Sequence, residues 1–313
     1  MSVKSGKKRV IIIVGPTAVG KTDLAIELAC RIDGEIISAD SRLFYRGMDI
    51  GTAKPTKEQQ LKIPHYLIDC AEPEEVWSLS TFRENAYTAI EKILARNKNP
   101  IIVGGTGQYI RAITEGWILP KQEPDKMMRE VLQRWAEEIG PEELYKKLAI
   151  IDPVAAKEID WTNLRRTIRA LEVIFHTGMR FSELRTKGEP KFEYYIIGLT
   201  RPRSELYGRI DLRVEDMFRQ GLIAETQKLL HDGLAVEHPN LSAIGYREVV
   251  EYLQGGITLC EAKQRMKKKT REFVRRQRNW FKPDDEDIHW FDISETTVEQ
   301  IINKMRIDNK AVK

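Results

Sequence analysis

Residues 15–22 read GPTAVGKT; the apolar run VIIIV precedes them, and KTDLAIELACRI carries Leu24, Leu28 and Ile32 at helical spacing. Gly15, four residues, Gly20, Lys21 and Thr22 satisfy the pattern G-x-x-x-x-G-K-[ST], and a strand before with a helix after is the context that gives the pattern meaning. A β-branched run with no polar interruption belongs in a central parallel strand covered on both faces. The chain is thereby committed to α/β layering, with a ligand at the carboxyl end of its first strand. The glycines let backbone N–H groups converge on phosphate oxygens, Lys21 adds a point charge, and the Thr22 hydroxyl suits Mg²⁺. Gly15, Pro16, Thr17, Ala18, Val19, Gly20, Lys21 and Thr22 are therefore the expected diphosphate cradle. What such a loop recognises is a diphosphate with a metal, so an ATP-binding, nucleotide-binding role and a non-nucleotide one are both open at this point.

The strand signal repeats in GEIISAD, HYLIDC, NPIIVGGTGQY and FEYYIIGLT, and DIHWFDI supplies a further one. A helical stretch is expected over residues 80–95. Strands alternating with helices predict an α/β fold: a P-loop NTPase-like doubly wound parallel sheet. Between residues 119 and 188 the strand signal vanishes. Met127, Met128, Val131, Leu132, Trp135 and Ile139 keep helical spacing, as do Leu164, Ile168, Leu171 and Ile174. Pro120, Pro124, Gly188 and Pro190 punctuate the edges. The expectation is a small all-helical domain, residues 119–188, inserted into a catalytic core of residues 1–118 and 189–313.

With 51 basic and 47 acidic residues the net charge is only +4, so contact with a polyanion must come from local clusters. Residues 263–282 supply one: ten Lys or Arg against the single acid Glu272, with Met266, Thr270, Phe273, Val274, Gln277 and Phe281 along one stripe. Such a helix would dock by the stripe and turn its positive face outward. Arg165, Arg166 and Arg169 share a second face, and Arg209 and Arg213 a third. Three scattered cysteines, none in a C-x-x-C pair, fit reduced thiols. No run approaches the ~18 apolar residues of a membrane span. A cytoplasmic monomer is expected.

An ATPase motor should also show an apolar strand ending in an acidic pair, whereas IIVGG ends in glycines and the Asp69 of YLIDC stands alone. Asp40 closes the second strand and so shares a sheet edge with the loop; capping a turn and serving a ligand are both open to it. The glycines of GGTGQY, residues 104–109, would let Thr106 approach a ligand closely.

Taken together, GPTAVGKT, ISADSRLFYRGMDIGTAKPT (37–56), PHYLID, IIVGGTGQY, RRTIRALEV (165–173), RIDLRVEDMFRQGLIAE (209–225) and SAIGYRE (242–248) resemble the tRNA dimethylallyltransferases, also called tRNA isopentenyltransferases, of the bacterial type without a zinc finger. The resemblance implies a prenyltransferase: a dimethylallyl group passes from its diphosphate to N6 of the adenosine 3′ of the anticodon. It implies Asp40, Thr106, Arg209 and Lys21 as catalytic residues, and Mg²⁺ near Thr22 as cofactor. It further implies tRNA contacts from Asp40, Ser41, Arg42, Leu43 and Thr106, from Arg165, Arg166, Thr167, Ile168 and Arg169, and from Ser242, Ala243, Ile244, Gly245, Tyr246 and Arg247, with the helical insertion on the anticodon stem-loop. Some members carry Gln where this chain has Leu43.

Overall fold

The computed structural model describes residues 8–119, 125–184 and 186–311. In chain order the elements are β1 (Arg9–Val14), α1 (Lys21–Ile32), β2 (Gly34–Ser38), α2 (Lys57–Lys62), β3 (His65–Tyr66), α3 (Leu79–Ala95), β4 (Asn99–Val103), α4 (Gly107–Thr114), β5 (Trp117–Ile118), α5 (Lys126–Ile139) and α6 (Pro141–Ile151). There follow α7 (Pro153–Glu158), α8 (Leu164–Thr177), α9 (Phe181–Leu184), β6 (Thr186–Lys187), β7 (Glu193–Thr200), α10 (Arg203–Gln220), α11 (Leu222–His231), α12 (Tyr246–Leu253), α13 (Leu259–Gln277), β8 (Ile288–Asp292) and α14 (Val298–Ala311). The chain divides into two compact units. One comprises the described residues of 1–77, 83–110 and 192–313, the other those of 78–82 and 111–191. Pro120 and Pro124 lie outside the described residues.

The first unit is built on six strands in the order β3-β2-β4-β1-β7-β8, every pairing parallel. β1 lies between β4, with Ile11 opposite Ile101, and β7, with Ile12 opposite Ile196. Val10, Ile12, Ile13 and Val14 are fully buried, and each such side chain contributes about 1.5–3 kcal/mol through removal from water. That is why an uninterrupted apolar run is tolerable here. α1 covers the sheet with Leu24, Ala25, Ile26, Leu28 and Ala29 and stops at Asp33, which turns left-handed at φ 50°. The chain leaves β1 toward β2 on one flank and returns on the other at β7, so the carboxyl end of β1 is where ligands gather in open α/β sheets. The strand expected from HYLIDC is cut to two residues because Leu67 (φ 60°) and Asp69 (φ 52°) both turn out of extended geometry. DIHWFDI does form an edge strand, β8.

In the second unit, α5, α6, α7 and α8 close around Leu132, Ala136, Leu144, Leu148, Leu171 and Ile174. α5 starts on the Asp125 side chain, which accepts the Met128 N–H, and α8 starts on Asn163, which accepts the Arg166 N–H; α8 stops at left-handed Gly178. The buried carboxylate of Glu172 accepts from Arg129 Nε and Nη2, both at 3.0 Å, from Arg169 Nη1 at 2.7 Å and from the Asp125 N–H at 2.7 Å; a buried charge persists only when so satisfied. The unit is not wholly helical: β5 and β6 pair antiparallel, Trp117 opposite Lys187. Two residues per strand carry no readable alternation. Among the described residues no helix is long and apolar enough to cross a membrane.

Candidate active site

The phosphate loop leaves β1 at Gly15, whose φ of 147° and clearance of the Leu199 carbonyl exclude any Cβ. Ala18 and Gly20 also take positive φ. Lys21 Nζ lies along the loop, donating to the carbonyls of Gly15 (3.0 Å) and Pro16 (2.9 Å). Burial lowers its pKa to about 8, with Arg213 pushing the same way and the Asp40 carboxylate pulling it up. The outer carbonyls of the loop are occupied by guanidinium groups: Arg201 Nε donates to Val19 and Arg209 Nε to Ala18, both at 2.8 Å. One turn after Arg209, Arg213 has no hydrogen-bond or ion-pair partner among the described residues. Burial and then Arg209 lower its pKa, while Asp23 and Asp40 oppose them. The Thr22 hydroxyl likewise makes no hydrogen bond among the described residues, and no cluster of three His, Cys, Asp or Glu lies among them. That donor set fits a Mg²⁺ ion held mainly by diphosphate oxygens.

Two of the loop N–H groups are engaged within the protein. The Thr17 N–H donates to Gln277 Oε1 at 2.8 Å, and the Val19 N–H points back to the Pro16 carbonyl at 3.4 Å. A cavity of about 520 Å³ opens beside the loop, with Gly20, Asp23, Arg201, Arg209 and Thr297 in its walls. Lys21, Asp40 and Thr106 are not among those walls, so it adjoins the site and is not its centre.

Asp40 follows β2 at the same edge. Its Oδ1 accepts the Arg42 N–H at 3.0 Å and its carbonyl accepts the Leu43 N–H at 3.2 Å, so it does cap the turn; Oδ2 has no hydrogen bond among the described residues. Its charge acts on both Lys21 and Arg213. The two readings of Asp40 are thus compatible: one oxygen serves the turn, and the charge of the carboxylate still reaches Lys21 and Arg213. Thr106 Oγ1 accepts the Ser41 N–H at 3.4 Å, and its carbonyl accepts the Tyr109 and Ile110 N–H groups that begin α4. The flanking glycines are also required by the protein's own packing. A Cβ at Gly104 would strike the Ala39 backbone, at Gly105 the Gln277 amide, and at Gly107 the Trp280 ring. They admit protein groups.

Of the other segments singled out in the sequence, the structure presents some residues and withholds others. Arg42 Nη1 reaches Asn240 Oδ1 at 3.3 Å, which ties the turn after Asp40 to the approach to SAIGYR. Leu43 and Ile244 are half-buried, and Ser242 and Arg247 are exposed. Ala243, Gly245 and Tyr246 are buried, and the Tyr246 hydroxyl donates to Glu225 Oε1 at 2.6 Å, so its ring packs inside the fold. Arg165 and Arg166 are exposed. Thr167 and Ile168, by contrast, face the core of the helical unit at 0% and 7% exposure, and Arg169 is committed to Glu172. The 3.6-residue helical repeat turns one side of the segment inward and leaves Arg165 and Arg166 on the other.

Glu225 was not foreseen as a site residue. Its carboxylate accepts the N–H groups of Asp49 (2.9 Å), Ile50 (2.8 Å) and Gly51 (3.0 Å). Lys54, only 4% exposed, joins Asp49, Asp69 and the Tyr45 carbonyl. The segment MDIGTAK is therefore held as a rigid piece behind Asp40.

The outward positive face expected of α13 is also smaller than the sequence suggested. Lys263 and Lys267 both meet Glu215, Arg265 meets Glu251, Lys269 meets Glu248 and Arg271 meets Asp211. Acids of α10 and α12 supply what α13 lacks. Lys268, Arg275 and Arg276 have no ion-pair partner among the described residues, and Lys268 and Arg275 line a hollow of about 310 Å³ with Arg203 and Tyr207.

The profile of a family described as IPP transferase matches residues 43–284. The chain is 50% identical over 87% of its length to a tRNA dimethylallyltransferase of Roseiflexus sp., covering 89% of that protein. It is 45% identical over 92% to the one from Thermomicrobium roseum, covering 88% of it. Among solved structures it resembles the full-length tRNA isopentenylpyrophosphate transferase of Bacillus halodurans, at 39% identity and a TM-score of 0.71 over 97% of this chain and 96% of that one. It also resembles a eukaryotic dimethylallyltransferase acting on tRNA, at 28% identity and a TM-score of 0.82 over 97% and 79%. A phosphate loop beside a strand-end aspartate, and relatives of that identity over nearly their whole length, lead to one assignment: the chain belongs to the IPP transferase family, that of the tRNA dimethylallyltransferases.

Proposed function

We propose that this protein transfers the dimethylallyl group of dimethylallyl diphosphate to the exocyclic N6 of the adenosine immediately 3′ of the anticodon in tRNA, releasing diphosphate. One observation carries the chemistry: a phosphate loop with its lysine leaves β1, and the carboxylate of Asp40 follows β2 at the same end of the parallel sheet, where its charge opposes the lowering of the Lys21 pKa by burial. A cradle without an acidic pair for an attacking water suits a leaving group better than a fuel.

An adenine amine is a poor nucleophile. Asp40, with Oδ1 fixed by the Arg42 N–H, orients N6 and takes its proton as the new N–C bond forms and the allylic C–O bond breaks; the proton then passes to solvent. Negative charge grows on the departing oxygen, where Lys21, Arg209, Arg213 and the loop N–H groups that face it stabilise the transition state more than the ground state. Mg²⁺, held by Thr22 and the diphosphate, would neutralise part of that charge. Thr106, packed against Ser41, lines the acceptor side. N6 is unreachable in a stacked anticodon loop, so the base must be extruded into the site.

For tRNA, the exposed Arg165 and Arg166 of the helical unit, Arg42, Ser242 and Arg247, and the unpaired cations Lys268 and Arg275 are the groups that would meet phosphates. Free cysteines agree with work in the cytoplasm, and the enzyme is proposed to act as a monomer. The test is an acceptor assay with labelled dimethylallyl diphosphate, purified tRNA and Mg²⁺, without ATP, followed by nucleoside analysis. Label in N6-modified adenosine of tRNA is expected. Label in AMP alone, or transfer only of the γ-phosphate from ATP, would overturn the assignment.

A further inference from the structure

Gln277, the last residue of α13, is 4% exposed. Its Oε1 accepts the N–H of Thr17 in the phosphate loop at 2.8 Å, and its Nε2 donates to the carbonyl of Gly105 at 3.2 Å. Gly105 immediately precedes Thr106, which holds the turn after Asp40 through the Ser41 N–H. One planar amide thus spans from the cradle of the leaving group to the strand-end loop on the acceptor side, 260 residues away in sequence from the first and 172 from the second. The fit leaves no slack, since a Cβ at Gly105 would collide with Nε2, and Trp280 packs against Gly107 in the same loop.

We propose that Gln277 is a positioning residue that sets the separation between the diphosphate cradle and the Asp40–Thr106 side of the site, so that departure and attack occur in register. This rests on the function proposed above. Both amide roles are needed. Glutamate keeps the acceptor for Thr17 but turns a second acceptor toward the Gly105 carbonyl, and methionine matches the shape while supplying neither bond. Misplacement of reacting groups by ~1 Å costs on the order of 10²-fold in rate, whereas each substrate bound alone needs only its own half of the site.

The experiment compares Gln277→Met, Gln277→Glu and the packing control Val274→Ala, a buried side chain one turn earlier on α13. Transfer kinetics, inorganic pyrophosphate affinity, tRNA affinity and thermal midpoint are measured for each. Expected for both Gln277 variants is a kcat about 10–100-fold below wild type, with pyrophosphate and tRNA affinities within about threefold. Val274→Ala should lower the midpoint while leaving kcat of the folded protein within about twofold. A kcat near wild type in the Gln277 variants, a loss that follows thermal midpoint across all three proteins, or a loss carried by either affinity would overturn the inference. Absence of transfer by the wild type would overturn the proposed function itself, which the same assay reports separately.

Discussion

Lys263, Arg265, Lys267, Lys269 and Arg271 on α13 each meet a carboxylate of a neighbouring helix, whereas Arg213 on α10 and the Thr22 hydroxyl at the phosphate loop have no hydrogen-bond or ion-pair partner among the described residues. The acids divide the same way. Two lysines hold the Glu215 carboxyl down to about 2, while Asp40 is engaged by a backbone N–H through one oxygen only. Where charges serve to join helices, the fold neutralises them locally. At the phosphate loop it leaves Arg213, the Thr22 hydroxyl and one oxygen of Asp40 without a hydrogen-bond or ion-pair partner among the described residues. Local density of Lys and Arg in a sequence is therefore a poor guide to which of them bind.

The largest effect expected from this contrast falls on the unpaired acid. Asp40→Ala should lower the transfer rate by roughly 10²–10⁴-fold, the usual range for a general base, with tRNA binding retained in a filter or gel assay; unchanged transfer would place Asp40 among the structural acids. Next comes the unpaired cation: Arg213→Met should reduce kcat/KM for dimethylallyl diphosphate by about 10²-fold, in steady-state kinetics with tRNA saturating. Converting Lys268 and Arg275 together to Glu should weaken tRNA binding by about 10-fold or more and flatten its dependence on salt; the same reversal at the paired Lys263 would do as much if pairing were irrelevant.

Two smaller effects concern protons. Lys21 holds its charge below its folded pKa of about 8, so kcat/KM for the diphosphate donor should decline as pH rises through that value, and a profile flat to pH 9 would show that Lys21 is charged throughout. For Glu215 the sign is opposite. Its folded pKa of about 2 lies below the ordinary 4.5, so the pairing contributes stability that is full above pH 4.5 and is lost as pH falls toward 2. Because the pair is partly exposed, Glu215→Gln should cost no more than about 1 kcal/mol at neutral pH by denaturant titration, with transfer unchanged.

Much of the core was legible because it is local. The run VIIIV, the loop GPTAVGKT and the helix after it sit side by side in the chain, and Asp40 is two residues past a strand with an unambiguous pattern. The roles of Gln277 and Glu225, and the packing of GGTG against Trp280, are not legible because the partners lie far away in the chain: Thr17 for Gln277 and the Asp49–Gly51 amides for Glu225. Gln277 shares a helical stripe with Met266, Thr270 and Val274, and nothing in the stripe reveals that its amide would find two loops. Thr167, Ile168 and Tyr246 lie within the motifs RRTIR and SAIGYR, yet all three are buried while Arg165, Arg166 and Arg247 are exposed, a division that motif matching does not show. Pairing of the α13 cations depends on acids contributed by α10 and α12, and helix-by-helix reading cannot supply it.

The carboxylate of Glu225, grasping three consecutive amides of the stretch behind Asp40, means that lack of regular secondary structure is no sign of softness there. Those amides should exchange with deuterium as slowly as those of a well-packed helix. A loop anchored so closely can bear a load without itself giving way.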